Sequence, residues 1–169
     1  MSPDTPALQD FYPEDVAHCY GCGRLNSAGL RLRTRWDGDE TVSRFTPAPH
    51  HTAIVGTVYG GLVASLLDCH GTGSASAAVL RQEGRRIGDG PSPRFVTASL
   101  KVDFLKPTPL GPDLEIRGRI VEIKGRKVVV EETLSADGVV TATGMVIAVR
   151  MRDDTSPPAT GTLEIGGAR

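Results

Sequence analysis

The stretch GGLVASLLDCHGTGSASAAVLR, residues 60–81, decides how this chain is read. It is the only long candidate for a helix. Leu62, Val63, Leu66, Leu67 and Val79 supply its apolar positions, and most of the rest is Ala, Ser and Gly. Gly71 and Gly73 each cost about 1 kcal/mol of helix propensity against Ala. A helix that keeps them lets something come close, and a sheet wrapped tightly around it would demand that.

Outward from this helix the pattern changes to strands. After a charged, Gly/Pro-rich loop (83–94), RFVTASLKVDFLKP alternates with period two. Val96, Ala98, Leu100, Val102 and Phe104 are expected on one face, and Thr97, Ser99, Lys101 and Asp103 on the other. LEIRGRIVEIKG, RKVVVEETLSADG and GVVTATGMVIAVRM follow as three more strands, the last two joined by an Asp-Gly turn. Before the helix, LRLRTRW (30–36) and TVSRFT (41–46) read as strands around the turn DGDE, and TPAPHHTAIVGTVY as a loop. Short connections imply antiparallel neighbours. The plan is α+β: one central helix against a curved antiparallel sheet.

The chain's 169 residues fit one domain. Its 39% hydrophobic and 23% charged content is that of a soluble globular protein. A net charge of -1 excludes a dedicated nucleic-acid binder. No apolar run approaches the roughly 18 residues that span a bilayer. The first residues lack the basic and apolar regions of a signal peptide. Three cysteines, an odd number, make no disulfide framework, which points to a reducing cytoplasm.

G-T-V-Y-G-G-L-x-A-S-L-L-D (56–68) followed by T-A-S-L-K-V-D-F-L-K-P-x-x-x-G (97–111) resembles the hot-dog-fold acyl-CoA thioesterases. The branch it is most similar to is the phenylacetate-pathway and human thioesterase-superfamily-member group. C-Y-G-C-G-x-x-N-x-x-G-L (19–30) is similar to an N-terminal signature of some members. The resemblance covers about residues 19–151. It implies a hot-dog domain there, with an N-terminal arm (1–18) before it and a disordered C-terminal tail (152–169) after it. It also implies a homodimer or homotetramer with sites at the subunit interface, an acyl-CoA substrate and no cofactor.

Thioester hydrolysis needs a polarised carbonyl, an activated nucleophile and an exit for the thiolate. Gly60 starts the helix, where a backbone N–H is unpaired and lies at the positive end of the dipole. Glycine lets a carbonyl approach without a Cβ in the way, so Gly60 is the expected oxyanion donor, with Gly61 beside it. Asp68 is a carboxylate among apolar and small residues, which is costly unless partnered. In the family the acid at this spacing is general base or nucleophile. Ser65, Thr72 and Ser76 share its helical face and are its expected polar partners. Asp68 and Gly60 are eight residues apart, about 12 Å along one helix, too far to serve one thioester carbon. A two-fold partner could supply the missing half.

The chain departs from its relatives at two places. Tyr59 stands where many have His, and Ala53 where several have Asn or Gln. Tyr59 could donate its hydroxyl instead. His50, His51 and Thr52 could replace the amide, and His51 is taken as a substrate-binding residue. Thr97 aligns with a Ser/Thr that relatives use to hold the water or the acid. Arg81, Arg85, Arg86, Lys106, Lys124, Arg126 and Lys127 are candidates for coenzyme A phosphates, with Arg126 favoured. Cys19-x-x-Cys22 beside His18 is half a zinc knuckle without a second pair, and Cys69 and His70 complete it only if folding brings them near. The expectation is no metal. The rival functions are a non-catalytic acyl-CoA or acyl-carrier binding domain, a hot-dog hydratase or dehydratase, and a zinc-stabilised interaction module.

Overall fold

The computed structural model describes residues 6–152. Most of the expected C-terminal tail, residues 153–169, lies outside the described residues. Helix α1 runs over Gly60–Gln82, as its composition predicts. Six strands accompany it: β1 (Arg35–Asp37), β2 (Glu40–Phe45), β3 (Phe95–Phe104), β4 (Leu114–Lys124), β5 (Lys127–Ala136) and β6 (Val139–Arg150). They form one sheet in the order β1-β2-β4-β5-β6-β3. Every pairing is antiparallel. Asp137 and Gly138 both take positive φ (50° and 77°) between β5 and β6, as a two-residue hairpin with the right twist requires.

Helix α1 packs on one face of this sheet, the hot-dog arrangement. Leu66 and Leu67 of the helix are fully buried, and so are Leu114, Ile116, Val130 and Val146 from the strands. Each such side chain contributes about 1.5–3 kcal/mol by leaving water. At Gly71 the helix comes close to the sheet. A Cβ there would lie 2.5 Å from a Val146 methyl, so only glycine fits. No helix among the described residues is long and apolar enough to cross a membrane.

Three sequence expectations need correction. The strand expected over 30–36 shrinks to Arg35–Asp37. Before it, the N–H groups of Leu30 and Leu32 donate to the carbonyls of Tyr20 and Gly21, and the Thr34 carbonyl accepts from Leu8 N–H. Those groups are thus spent on N-terminal segments rather than on a strand ladder. For the same reason the described part of the expected N-terminal arm, from residue 6 on, is anchored to the domain. Ala7 and Leu8 are fully buried, and the Gln9 amide both donates to Thr34 Oγ1 (3.1 Å) and accepts from Thr34 N–H (2.8 Å). The third correction is in β3, whose register against β6 shifts between Thr97 and Ser99. The bulge reverses the alternation. Val96 and Ala98 are exposed, while Thr97 shares the less exposed side with Leu100 and Val102.

Candidate active site

Helix α1 begins where the extended loop ends at Tyr59 (φ −61°, ψ 128°). The Tyr59 carbonyl accepts from the N–H groups of Leu62 and Val63. Gly60 and Gly61 are the first helical residues, so their N–H groups have no acceptor within the helix. A Cβ on Gly60 would touch the Phe104 ring at 3.4 Å. A Cβ on Gly61 would collide with the Tyr59 ring, 2.3 Å from a ring carbon and 2.7 Å from the hydroxyl. In this arrangement the Tyr59 ring lies over Gly61. Gly60 opens into a cavity of about 340 Å³ walled by Ile54, Val63, Phe104 and Leu105, with Lys106 at its side.

Two turns along the helix, Asp68 is half-buried and faces a different cavity, of about 480 Å³. Its Oδ1 accepts a hydrogen bond from Thr97 Oγ1 at 2.5 Å. Its second oxygen has no hydrogen-bond partner among the described residues. The β3 bulge is what turns Thr97 toward the helix and makes this contact.

The expected polar stripe behaves differently. Ser65 Oγ donates to the Gly61 carbonyl (2.8 Å), and Thr72 Oγ1 donates to the Asp68 carbonyl (3.1 Å). Both hydroxyls thus return to their own helix rather than to the Asp68 carboxylate, although Thr72 still lines the larger cavity. Ser76 donates to the Pro93 carbonyl. His51 lines neither cavity. Its Nδ1 accepts from Ala48 N–H (2.9 Å) and its ring packs on Phe45, so it shapes the loop turn. Burial, helped by His50, lowers its pKa.

Most of the candidate phosphate-binding cations have other partners. Arg126, in the β4–β5 turn, donates to the carbonyl of Arg150 at the end of β6. Arg81 stacks on Trp36, 3.3 Å from the ring centroid, and Lys127 pairs with Glu122. Of these cations, only Lys106 lines either of the two cavities.

The larger cavity also contains residues that the sequence reading set aside. Tyr12, His18, Cys19, Cys22, Cys69 and Arg94 all line it. The three sulfurs lie within 4.8 Å of one another. Cys69 follows Asp68 directly and meets Cys19 Sγ at 3.7 Å. Hydrogen bonds from Cys22 and Cys69 pull the Cys19 thiol down to about 2, and the same contacts push Cys22 up to about 12 and Cys69 up as well. The CYGCG motif was the available signal. Cys69 was a candidate partner only if folding brought it near, and folding does so from fifty positions away, on the helix.

Two buried titratable groups lie elsewhere in the core. His70 is fully buried, with Nδ1 2.7 Å from Ser43 Oγ and Nε2 3.1 Å from Thr41 Oγ1. Burial lowers its pKa to about 3, so it is neutral. Glu132, on β5, is also buried, and neither carboxylate oxygen has a partner among the described residues. Burial, and behind it the Asp68 charge, raises its pKa well above the usual range.

Comparison with known proteins agrees with the fold. The thioesterase superfamily model matches residues 55–143, from the loop before α1 into β6. A thioesterase superfamily protein from Shewanella loihica PV-4 is 48% identical, with a TM-score of 0.64, over 82% of this chain and 97% of that one. The E. coli PaaI protein, from the phenylacetic acid degradation operon, shares the fold at 16% identity and a TM-score of 0.59, over 73% of this chain and 81% of its own. The phenylacetic acid degradation-related protein of Ralstonia eutropha JMP134 does so at 23% and 0.55, over 71% and 85%. No curated protein matches the chain. With a family model covering over half its length and a near-full-length relative at 48% identity, this chain belongs to the thioesterase superfamily.

Proposed function

We propose that this protein hydrolyses acyl- or aryl-acyl-coenzyme A to the free acid and coenzyme A, as a cytoplasmic homodimer or a tetramer of two dimers. The observation that carries this reading is Asp68. It is a half-buried carboxylate, fixed by Thr97 through one oxygen and open to a cavity through the other. That is the posture of a group that must accept a proton or attack a carbon.

Asp68 either takes a proton from water as the water adds to the thioester carbonyl, or adds to that carbonyl itself. In the second route it forms a mixed anhydride that water then opens. In both, the carbonyl oxygen gains negative charge, and the Gly60 N–H at the helix start is placed to stabilise it. The C–S bond then breaks and the coenzyme A thiolate leaves.

The two halves of this chemistry open into separate cavities of one chain. A second subunit that set its Asp68 against this Gly60 would join them. The loop before the helix supports such a partner. Ile54 is 76% and Val55 97% exposed, beside the exposed Tyr59, Phe104 and Leu105. A contiguous apolar surface of that kind is characteristic of an interaction site. The apolar wall at Gly60 suits the acyl group, and Lys106 suits a phosphate.

The test is turnover on a panel of acyl-CoAs, read as free thiol release, with light scattering on the same sample. Thiol release by an oligomer supports the proposal. A fully active monomer overturns the shared site. Acyl-CoA binding without turnover would instead make the protein a binding domain. That second reading draws on Tyr59 and Ala53, which stand where relatives have His and a side-chain amide.

A further inference from the structure

We propose that Cys19, Cys22 and Cys69 form a binding site for one thiophilic divalent cation, zinc, whose fourth position faces the Asp68 cavity. The three ligand sulfurs lie within 4.8 Å of one another, and the Cys19 and Cys69 sulfurs are 3.7 Å apart. Sulfurs at about 2.3 Å from a tetrahedral zinc are separated by about 3.8 Å, so the edge of the cluster already has the required length.

The backbone is arranged around this cluster. Cys19 and Cys22 flank a tight turn in which Gly23 N–H donates to the Cys19 carbonyl (2.8 Å). Both glycines of CYGCG are sterically required. A Cβ on Gly21 would lie 2.2 Å from Cys69 Sγ, and one on Gly23 would lie 2.5 Å from the Ala17 and Cys19 carbonyl oxygens. Gly21 thus lets the turn press directly onto the helical sulfur.

No ring nitrogen of His18 joins the cluster, so the described residues supply three ligands. The three cysteines and Asp68 line one cavity, and the fourth ligand comes from its contents. Three protein ligands with one exchangeable position is the pattern of a reactive zinc site, whereas a structural site is closed by four. Binding displaces the thiol protons and fastens the 19–23 turn to the helix one residue after Asp68.

The experiment strips the full-length protein with chelator and reductant, then titrates it with cobalt(II) and zinc. The expected result is one metal per chain, a thiolate-to-cobalt charge-transfer band and a rise in Tm with zinc. All three thiols should become slow toward a disulfide reagent. Cys19 is exposed, so Cys19→Ser is expected to fold. It should weaken zinc binding by more than about 100-fold, since losing even an outer-shell partner costs 10–100-fold. Full uptake by Cys19→Ser overturns the ligand set. So does a stripped wild-type protein with three free thiols, no cobalt band and no zinc uptake.

Discussion

Asp68 and His70 sit two residues apart on one helix and have opposite surroundings. His70 points into the core between β2 and the helix, where hydroxyls engage both its ring nitrogens. Thr41 is bonded in turn to Ser74 at 2.6 Å. Asp68 points the other way, where one threonine holds one oxygen and the other faces a cavity. A polar group with every valence engaged stabilises a core, and one left partly free by a rigid partner is available for chemistry. The contrast separates structure from function without reference to the family, and it can be broken from either side.

The largest expected effect is on the structural side. His70→Leu leaves Thr41 and Ser43 short of a partner, and we expect it to cost roughly 3 kcal/mol, the sum of unsatisfied polar groups and misfit packing. At about 2–4 °C per kcal/mol for a chain of this size, thermal unfolding would shift by roughly 6–12 °C. Turnover per folded molecule should remain. The same histidine sets an acid limit on stability. Its folded pKa of about 3 lies below the unfolded value of 6.5, so its contribution is complete above 6.5 and is lost as pH falls toward 3. Unfolding midpoints that stay flat over that window would remove the buried neutral imidazole from the account.

Asp68→Asn is the converse change. It keeps the shape, removes the proton acceptor and should lower turnover at least ~100-fold, about 2.7 kcal/mol, with Tm almost unmoved. Unchanged turnover would take Asp68 out of the mechanism. Thr97→Val tests how the acid is held. Valine fills the same space and cannot donate, and we expect turnover to fall about tenfold, or 1.4 kcal/mol, with KM little changed. Loss of stability without loss of rate would make the contact at 2.5 Å purely structural.

The smallest expected effect concerns Glu132, which has the burial of His70 and none of its partners. Its folded pKa is raised, so stability is complete below the unfolded value near 4.5 and is lost as pH rises from there toward the folded value. Glu132→Gln cannot ionise. We expect it to be more stable than the parent at pH 7.5, by on the order of 1 kcal/mol, with the gap closing at pH 4. Comparing two variants at each pH cancels the His70 contribution. A gap that does not change with pH would show that Glu132 is not ionising against its burial.

Much of the fold was legible in the sequence because it rests on local rules. The helix over 60–82 follows from its spaced Leu and Val with Ala and Ser between them, and the Asp137-Gly138 turn from the positive φ that Asp-Gly supplies. The closeness of sheet and helix follows from Gly71. The spacing of Gly60 and Asp68 is fixed by helix geometry, and so is their separation into two cavities.

What the tertiary structure alone decided are meetings between distant segments. The resemblance pointed to Thr97 as a holder of the acid, but the β3 bulge that turns it onto Asp68 and leaves Val96 outside is announced by no residue pattern. The expected partners Ser65 and Thr72 lost to their own helix carbonyls, because an acceptor one turn back is nearer than any carboxylate. His51 was claimed by the turn it sits in. The thiols of Cys19 and Cys22 found a third in Cys69, fifty residues from the first, because the buried segment around Leu8 and the turn through Gly21 press the N-terminal region onto α1. Sequence determines which local conformations a chain prefers. Which side chains meet depends on how the packed elements register against one another, and that is settled only when the whole core closes.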